Sequence, residues 1–319
     1  MSQADLFYFR NGSYSCVFSI RHLVIRGHVD ISMISTIITH PGGAHKDDFL
    51  ACAVLLKNNP VSIFRREPSI EDLQNHKIAV LDVGGEYNSK SLNFDHHQFP
   101  REHEPICSLS LVLKHLGIYE DAREFCPWLE VAEWFDCRGP NDTAEWLNID
   151  RETLGKLNSP LDITILKSFA DRSEHHPGEP IWEVMKMIGT DLVDFITSLR
   201  SRLNLVSQYT EVWEENNGED TFKVLFLPRV GDLPEDASGV LGYRVKELGL
   251  EEEIIAVISP DSRGAGYGMR RYNDNQTIDF SKLDSELDVH FVHARGFIAK
   301  TSTTETERLK FLLKKALVE

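Results

Sequence analysis

Three short apolar segments in the first part of the chain each end near a side chain that can bind a metal ion. Residues 34–39 are followed by His40, residues 77–83 contain Asp82 close to their end, and a short apolar run precedes Asp95. Helical patterns lie between these segments, and this alternation predicts parallel βαβ units with right-handed crossovers. Because ligands bind at the carboxyl ends of parallel strands, we expect these three side chains to converge at one edge of a sheet.

The spacing of apolar residues predicts the remaining elements of the first half. Residues 47–57 have apolar side chains at helical spacing and acidic residues in the first turn, where the helix dipole favours them. Residues 108–135 predict two helices, with Asp136 at the C-terminal end of the second one. Another strand is predicted at 61–65, and other helices at 69–73, 161–170 and 181–205.

The second half of the chain predicts a second domain, with a hairpin or surface turn at 216–220. Strands are predicted at 221–227, 253–259, 267–272 and 289–293, and helices at 238–248 and 304–317. The fold class is therefore α/β: an N-terminal parallel sheet with helices on both faces, followed by a smaller C-terminal α/β domain for substrate binding.

Composition and charge restrict the classes of partner. Hydrophobic residues make up 41% of the chain and charged residues 26%, and no apolar stretch reaches the length of about 18 residues that a membrane helix needs. The five cysteines form no C-x-x-C pair, which indicates reduced thiols in the cytoplasm. We interpret Cys52 and Cys137 as small packing groups. The net charge of −16 argues against binding to duplex DNA, which requires a basic surface.

The tripeptide Asp95-His96-His97 directly follows the third apolar run. An isolated tripeptide of this kind is more often a surface loop than a metal site. Here, however, other segments carry further imidazoles and carboxylates. Phosphoester hydrolysis by two divalent cations needs a bridging carboxylate and several oxygen or imidazole ligands. Mixed imidazole and carboxylate without thiolate favours Mn²⁺ or a neighbouring metal over structural zinc. The candidate ligands in sequence order are His40, His45, Asp47, Asp82, His96, His97 and Asp136.

These motifs resemble the DHH phosphoesterase superfamily, which includes the RecJ nucleases and manganese-dependent pyrophosphatases. They are most similar to the melanocyte-proliferating-gene (Myg) exonuclease family. The matching pieces are Thr39-His40, His45 with Asp47, residues 82–87, residues 94–98 and, near the C-terminus, residues 291–298. The likeness extends over most of the chain after Met33.

The resemblance implies a role for each candidate ligand. His40 and His45 would hold one metal ion, and Asp82 would bridge to the other, which Asp47, His96 and Asp136 would hold. Asp95 would orient a ligand imidazole, and His97 would contact phosphate or protonate the leaving group. For Asp48, a role at the helix N-terminus takes precedence over metal binding. The implied cofactor is a pair of Mn²⁺ ions, with Mg²⁺ or Co²⁺ as alternatives.

Basic residues and glycines cluster in the second domain of this acidic protein, and they are candidates for phosphate recognition. A solvated face that offsets nearby acids is an equally weighted interpretation of any single arginine. His293 and Gly296 also resemble part of the C-terminal substrate-binding motif of the superfamily. The predicted substrate-binding residues are Arg263, Arg270, Arg271, His293, Gly296 and Lys300.

The predicted boundaries divide the chain into four parts. Residues 1–32 form an extension of uncertain order, 33–180 a DHH-type catalytic domain, 181–210 a linking helix and 211–319 the substrate-binding domain. The predicted function is metal-dependent hydrolysis of phosphodiester bonds in single-stranded RNA ends or short oligonucleotides. The alternatives are a phosphatase or pyrophosphatase for a small metabolite, and a metal-binding protein without turnover. No membrane partner is expected, and a homodimer is left open.

Overall fold

The computed structural model describes residues 34–156, 159–218, 220–231, 233–234 and 236–318. The predicted extension at 1–32 lies outside these residues. The α/β class is confirmed, because the described chain forms two six-stranded sheets with helices packed against them. The first sheet is mainly parallel and is completed by residue 175, whereas the second begins at residue 211.

The first sheet places the predicted strands side by side. Its strands are β1 (Thr36–Thr39), β2 (Ser62–Arg65), β3 (Ile78–Leu81), β4 (Tyr87–Asn88), β5 (Asn93–Phe94) and β6 (Glu174–His175). Their order is β4-β5-β3-β1-β2-β6, in which β5, β3, β1 and β2 run parallel and the two outer strands run antiparallel. The carboxyl ends of the four parallel strands therefore meet at one edge.

Successive residues of β1 point to opposite faces of this sheet, as the pleat requires. Ile37 packs in the large core, whereas Ile38 packs with Val80 and Leu73 on the other face. The large core includes α1 (Lys46–Leu56), and the smaller cluster is covered by α2 (Ile70–Gln74). Helices therefore lie on both faces, as predicted.

The helical segment between β5 and β6 is longer than predicted. Its helices are α3 (Ser108–His115), α4 (Tyr119–Phe125), α5 (Trp128–Trp146), α6 (Arg151–Lys156) and α7 (Pro160–Ala170). Asp136 was expected at the end of a helix, but it lies inside α5. The helix breaks three residues later at Gly139, which has φ of 77° and is followed by Pro140, and it then resumes. Asp136 thus occupies the last turn before the break.

The helix α8 (Pro180–Ser207) does more than link two domains. Gly189 packs so closely on α1 that a Cβ at this position would lie 1.8 Å from the carbonyl oxygen of Ala53. Trp182 and Ile196 of α8 are buried in the same core as α1, and the later residues Leu203 and Val206 belong to it as well. This core continues to the second sheet, so α8 forms a layer shared by both parts.

The second sheet contains β7 (Glu211–Asn217), β8 (Asp220–Phe226), β9 (Ile254–Pro260), β10 (Tyr267–Arg271), β11 (Val289–Val292) and β12 (Ile298–Thr301). Their order is β11-β12-β10-β9-β8-β7, with β8 and β9 parallel and the other pairs antiparallel. The helix α9 (Leu241–Glu247) packs on one face and α10 (Thr306–Ala316) on the other. The predicted hairpin at 216–220 connects β7 to β8. The strands β7 and β12 were not predicted, and neither were the two-residue strands β4 and β6 of the first sheet.

In the part of the chain that the structure describes, no helix has both the length and the apolarity needed to cross a membrane.

Candidate metal centre

The loop after β1 and the first turn of α1 supply the first part of the cluster. Asp48 Oδ1 accepts hydrogen bonds from the backbone N–H groups of His45 and Phe49, both at 2.8 Å, so the predicted helix N-terminal role is present. Its other oxygen, Oδ2, lies 3.2 Å from His40 Nε2. The hydrogen bond with Asp48 raises the pKa of His40 to about 9, although burial opposes the rise. Asp48 therefore caps the helix and also faces the cluster.

Asp82 follows β3 in a left-handed backbone conformation, with φ of 57°. Asp tolerates this region better than most residues, and such strain often marks functional sites. The conformation directs the two carboxylate oxygens of Asp82 to different partners. Oδ2 lies 3.4 Å from His40 Nε2, and Oδ1 lies 3.0 Å from His96 Nε2. Asp82 thus lies between His40 and His96.

His96 joins Asp82 to the helix α5. Its Nε2 lies 3.0 Å from Asp82 Oδ1 and 2.8 Å from Asp136 Oδ2. Because a ring nitrogen carries at most one hydrogen, it cannot donate to both carboxylates at once. His45 is more exposed, and its Nδ1 lies 3.6 Å from Asp136 Oδ1. The imidazoles of His96 and His45 therefore converge with the carboxylates of Asp82 and Asp136, and these contacts outnumber the N–H groups that could serve them as hydrogen bonds.

Asp47 has the most unusual surroundings of the predicted ligands. Its side chain is 1% exposed, and neither carboxylate oxygen has a hydrogen-bond partner. One potential ligand atom from each of Asp47, Asp82, His96 and Asp136 lies within 4.8 Å of the others, and a second such group is formed by His40, His45 and Asp82. A buried carboxylate without a donor is costly unless a cation compensates it. The donor set therefore fits divalent cations.

The pKa values of the clustered side chains reflect the crowding of several carboxylates. Burial, together with the carboxylates of Asp82 and Asp136, raises the pKa of Asp47 well above its usual range. Burial also raises the pKa of Asp82 despite its hydrogen bond with His96. Burial alone would lower the pKa of His96, but the adjacent carboxylates of Asp136 and Asp82 raise it to about 12. The cluster thus attracts cations or protons.

Asp95 orients His97 rather than the predicted ligand His96. Asp95 Oδ1 lies 2.7 Å from His97 Nδ1 and accepts from the His97 backbone N–H at 3.1 Å. Its Oδ2 accepts from the N–H of Gly85 at 2.6 Å. Burial raises the pKa of Asp95, but these hydrogen bonds outweigh it and lower that pKa to about 2. The His97 side chain is 64% exposed and so faces the open side of the site.

Arg65, at the end of β2, was not among the predicted site residues. Its guanidinium donates to the carbonyl oxygens of Gly42 at 3.0 Å and Gly43 at 3.2 Å, and it lies 3.6 Å from Asp48 Oδ2. Arg65 therefore holds the loop that carries His40. The strand-end rule that selected His40 applies equally to Arg65, so this signal was present in the sequence.

The interpretation of Cys137 as a packing group is wrong. Cys137 is half-buried, and its Sγ lies 3.6 Å from His96 Nδ1 and 3.4 Å from the carbonyl oxygen of Ile106. A metal-binding histidine usually donates its second ring N–H to an acceptor that fixes its orientation. The sulfur of Cys137 is in the position to accept this hydrogen from His96.

The predicted substrate-binding residues form two groups in the second sheet. Around β10, a cavity of about 510 Å³ is lined by Arg270, Arg271 and Arg295 together with Phe297. Arg271 is 8% exposed, and its Nε donates to the carbonyl oxygen of Ile278 at 2.5 Å, so it supports the cavity wall. The exposed side chain of Arg270 makes no hydrogen bond or ion pair with the residues that the structure describes.

His293 and Gly296 lie in the turn beside this cavity. The ring of His293 packs on Phe297 with centroids 3.8 Å apart, and its Nδ1 accepts from the Arg295 N–H at 3.1 Å. Gly296 has φ of 69°, and a Cβ there would lie 1.7 Å from Asp279 Oδ1, so only glycine fits.

Arg263 and Lys300 form the other group, around Asp261. Lys300 Nζ donates to Asp261 Oδ1 at 2.7 Å, and the backbone N–H of Arg263 donates to the same oxygen. The ammonium of Lys300 is therefore already paired with a carboxylate.

A known protein family matches the segment that carries the motifs of the first sheet. Residues 36–119 match the model of MYG1_exonuc, described as an uncharacterised protein family (UPF0160). This segment is MYG1-like. The resemblance noted from the motifs is thus confirmed for the strands and loops that carry His40, Asp82 and His96.

Two MYG1 proteins are similar to part of the chain. A MYG1 protein from Dictyostelium discoideum is 40% identical over 94 residues, which cover 26% of this chain and 27% of that protein. A MYG1 exonuclease from Mus musculus is 45% identical over 64 residues, which cover 19% of this chain and 16% of that protein. The aligned parts therefore span less than a third of either relative.

Crystal structures of RecJ from Thermus thermophilus align over 88% of this chain. The complex with Mn²⁺ aligns over 51% of its own length at 12% identity, with a TM-score of 0.27. The complex with Mg²⁺ aligns over 49% at 14% identity, with a TM-score of 0.28. TM-scores of this size do not establish a common fold.

Proposed function

We propose that this chain is a metal-dependent phosphodiesterase that hydrolyses the ends of single-stranded RNA or short oligonucleotides with two Mn²⁺ ions. The observation that carries the proposal is the convergence of Asp47, Asp82, His96 and Asp136 within 4.8 Å, with both oxygens of the buried Asp47 unpartnered. The name of the mouse relative, MYG1 exonuclease, supports the nuclease class.

In this proposal His40 and His45 would hold one ion, and Asp47, His96 and Asp136 would hold the other. The divergent contacts of the two Asp82 oxygens, toward His40 and toward His96, support a bridging role for Asp82. When bound, the two ions supply a nucleophilic oxygen at neutral pH and neutralise charge on the attacked phosphate.

His97 is the candidate for proton transfer to the leaving oxygen. Its Nδ1 is engaged with Asp95, which leaves Nε2 for the substrate. The hydrogen bond with Asp95 raises the pKa of His97 and so favours the form that can donate a proton. Asp95 fixes the ring and stabilises its positive charge.

The basic cavity around Arg270 and Arg295 is the proposed contact for the phosphate backbone of the substrate. The cavity brings several guanidinium groups together in a chain with net charge −16. This distribution favours contact with a few phosphates of a short substrate over binding along a long nucleic acid. The four free cysteines of the described residues suit a reducing compartment, and we assign the protein to the cytoplasm within the same proposal.

The test is hydrolysis with Mn²⁺ over a series of substrates: bis(p-nitrophenyl) phosphate, dinucleotides, single-stranded RNA and pyrophosphate. We expect cleavage of the diesters and loss of at least about 100-fold in His96→Ala, because this substitution removes a metal ligand. His76→Ala is the matched control, since His76 is exposed and hydrogen-bonds the carbonyl oxygen of Lys90 away from the cluster.

Two results would replace the proposal. Cleavage of pyrophosphate or monoesters alone would favour the small-metabolite phosphatase. Binding of Mn²⁺ without cleavage of any substrate in the series would favour a metal-binding protein without turnover.

A further inference from the structure

A cavity of about 500 Å³ adjoins the metal-binding cluster on the side of α5, and we call it the side groove. Its lining includes His96, His97 and Asp136 at the cluster, and Phe99 and Asp142 farther away. The side groove therefore opens directly at the atoms that would hold the reacting phosphate. A group attached to that phosphate can extend into it.

One wall of the side groove is a pair of stacked rings. The rings of Phe99 and His103 lie nearly parallel, with centroids 4.6 Å apart and an angle of 16° between their planes. Tyr87 packs edge-on against Phe99, with centroids 6.2 Å apart. Flat aromatic surfaces beside a phosphate site bind nucleobases by stacking, and every base offers a suitable face.

Two arginines complete the lining. Arg138 donates to the carbonyl oxygen of His103 at 2.5 Å, which fixes the ring pair relative to α5. Arg101 donates to Asp142 Oδ2 at 2.8 Å, and its side chain is 77% exposed. A guanidinium has five N–H donors, so each arginine keeps donors for a phosphate oxygen. The acidic groups of the side groove are Glu104, Asp136 and Asp142.

We propose that the side groove binds the nucleotide unit next to the scissile phosphodiester, with its base on the Phe99–His103 pair and a phosphate oxygen on Arg138. This inference rests on the proposed function and deepens it, because it selects nucleotides over phosphorylated sugars and pyrophosphate. The recognised chemistry is a planar base linked to a phosphate.

The first test is calorimetric binding of adenosine 5′-monophosphate and ribose 5-phosphate, with and without Mn²⁺. We expect the nucleotide to bind about tenfold more tightly, because only it can stack. His103→Ala removes an exposed ring and should erase most of this difference, and Phe99→Ala should do the same. Phe195→Ala, which removes an exposed ring on α8, is the control and should preserve it. Equal binding of the two compounds to the wild type overturns the proposal.

The second test uses Cys137 as a chemical probe of the nucleotide position, because this half-buried thiol lines the side groove. At the same Mn²⁺ concentration, we expect adenosine 5′-monophosphate to slow the alkylation of Cys137 by iodoacetamide more than ribose 5-phosphate does. Mass spectrometry of the peptide that contains Cys137 measures the alkylation rate. An alkylation rate that is unchanged at saturating nucleotide overturns the proposed location.

The two proposals fail in different ways. Base-dependent binding that His103→Ala weakens, without hydrolysis of any diester, supports the side groove and refutes the proposed function. Hydrolysis of dinucleotides that His96→Ala abolishes, without base-dependent binding, supports the function and refutes the side groove.

Discussion

Two buried carboxylates of the first part of the chain have opposite surroundings. Glu133 on α5 is 0% exposed, and it accepts hydrogen bonds from Ser110 at 2.6 Å, Tyr119 at 2.8 Å and Arg123 at 2.5 Å. Asp47 on α1 is 1% exposed, and it accepts none. The same helix that carries Glu133 also carries Asp136, one turn later, which faces Asp47 and His96.

The difference shows that a carboxylate can be buried to support the fold or to serve a function. The charge of Glu133 is balanced by a guanidinium and two hydroxyl groups, so the structure itself compensates its desolvation. The charge of Asp47 is opposed by the neighbouring carboxylates of Asp82 and Asp136. Stability alone would select against such an arrangement, whereas binding of a cation would justify it.

The largest effect is expected for Asp47→Asn. The amide cannot replace a charged ligand, so we expect activity to fall about 10³-fold or more and Mn²⁺ to stop raising the melting temperature. Without metal, the melting temperature should stay the same or rise, because a repelling charge is gone. Thermal unfolding with and without Mn²⁺ checks this. Wild-type affinity for Mn²⁺ in the variant would contradict the role of Asp47.

Glu133→Ala should show the opposite behaviour. Loss of the Glu133 carboxylate leaves the hydroxyls of Ser110 and Tyr119 without their acceptor, and leaves the partly exposed Arg123 paired with Glu130 alone. We expect it to cost about 2–4 kcal/mol of unfolding free energy, whereas the candidate metal ligands stay in place. Urea unfolding measures the loss, and Mn²⁺ binding to the folded fraction should be unchanged. Glu130→Ala is the control, because Glu130 pairs with the same Arg123 at 3.1 Å but is 43% exposed, and it should cost at most about 1 kcal/mol. Equal losses in the two variants would remove the contrast between Glu133 and Asp47.

Asp95 is the intermediate case, a buried carboxylate with donors inside the candidate site. Asp95→Asn weakens the hold on His97, so we expect kcat to fall about 10- to 100-fold with unchanged affinity for Mn²⁺. Because Asp95 acts through His97, the substitution should add little in a His97→Ala background. Steady-state kinetics of the two single variants and the double variant test this. Additive losses would mean that Asp95 acts independently of His97.

The sequence could predict which strand ends carry candidate ligands, but not which carboxylates lack hydrogen-bond donors. His40 and Asp82 follow apolar segments, and the parallel arrangement of those segments determines their proximity. Glu133 and Asp136 lie three residues apart on one helix and look alike in sequence. Only the packing of α3 and α4 shows that donors surround Glu133 and that Asp136 faces the cluster.

The elements that differ from the predictions do so for physical reasons. The break at Gly139 does not end α5, because the chain resumes the helix after Pro140, so the predicted end at Asp136 was too early. The strand β7 is acidic and has no apolar run, and it forms because the apolar β8 pairs with it. The partners of Arg271, which are the carbonyl oxygen of Ile278 and the carboxylates of Asp274 and Asp279, also depend on packing that the sequence does not show.

The smallest effect concerns Asp72, a carboxylate with donors near the surface. The hydrogen bond from Arg66, at 2.7 Å, lowers the pKa of Asp72 to about 2, below its unfolded value of 3.8. Its stabilisation is therefore fully present above the unfolded pKa and is lost as the pH falls through about 2. Since Arg66 is 47% exposed, Asp72→Asn should cost at most about 1 kcal/mol at neutral pH. Urea unfolding of both proteins should show this gap narrowing below about pH 4. Asp72 Oδ2 also accepts a hydrogen bond from the backbone N–H of Ser69, the N-cap residue of α2, at 2.7 Å. A gap that stays constant down to about pH 2 would show that the charge of Asp72 contributes nothing, and that the loss comes from this contact at the start of α2.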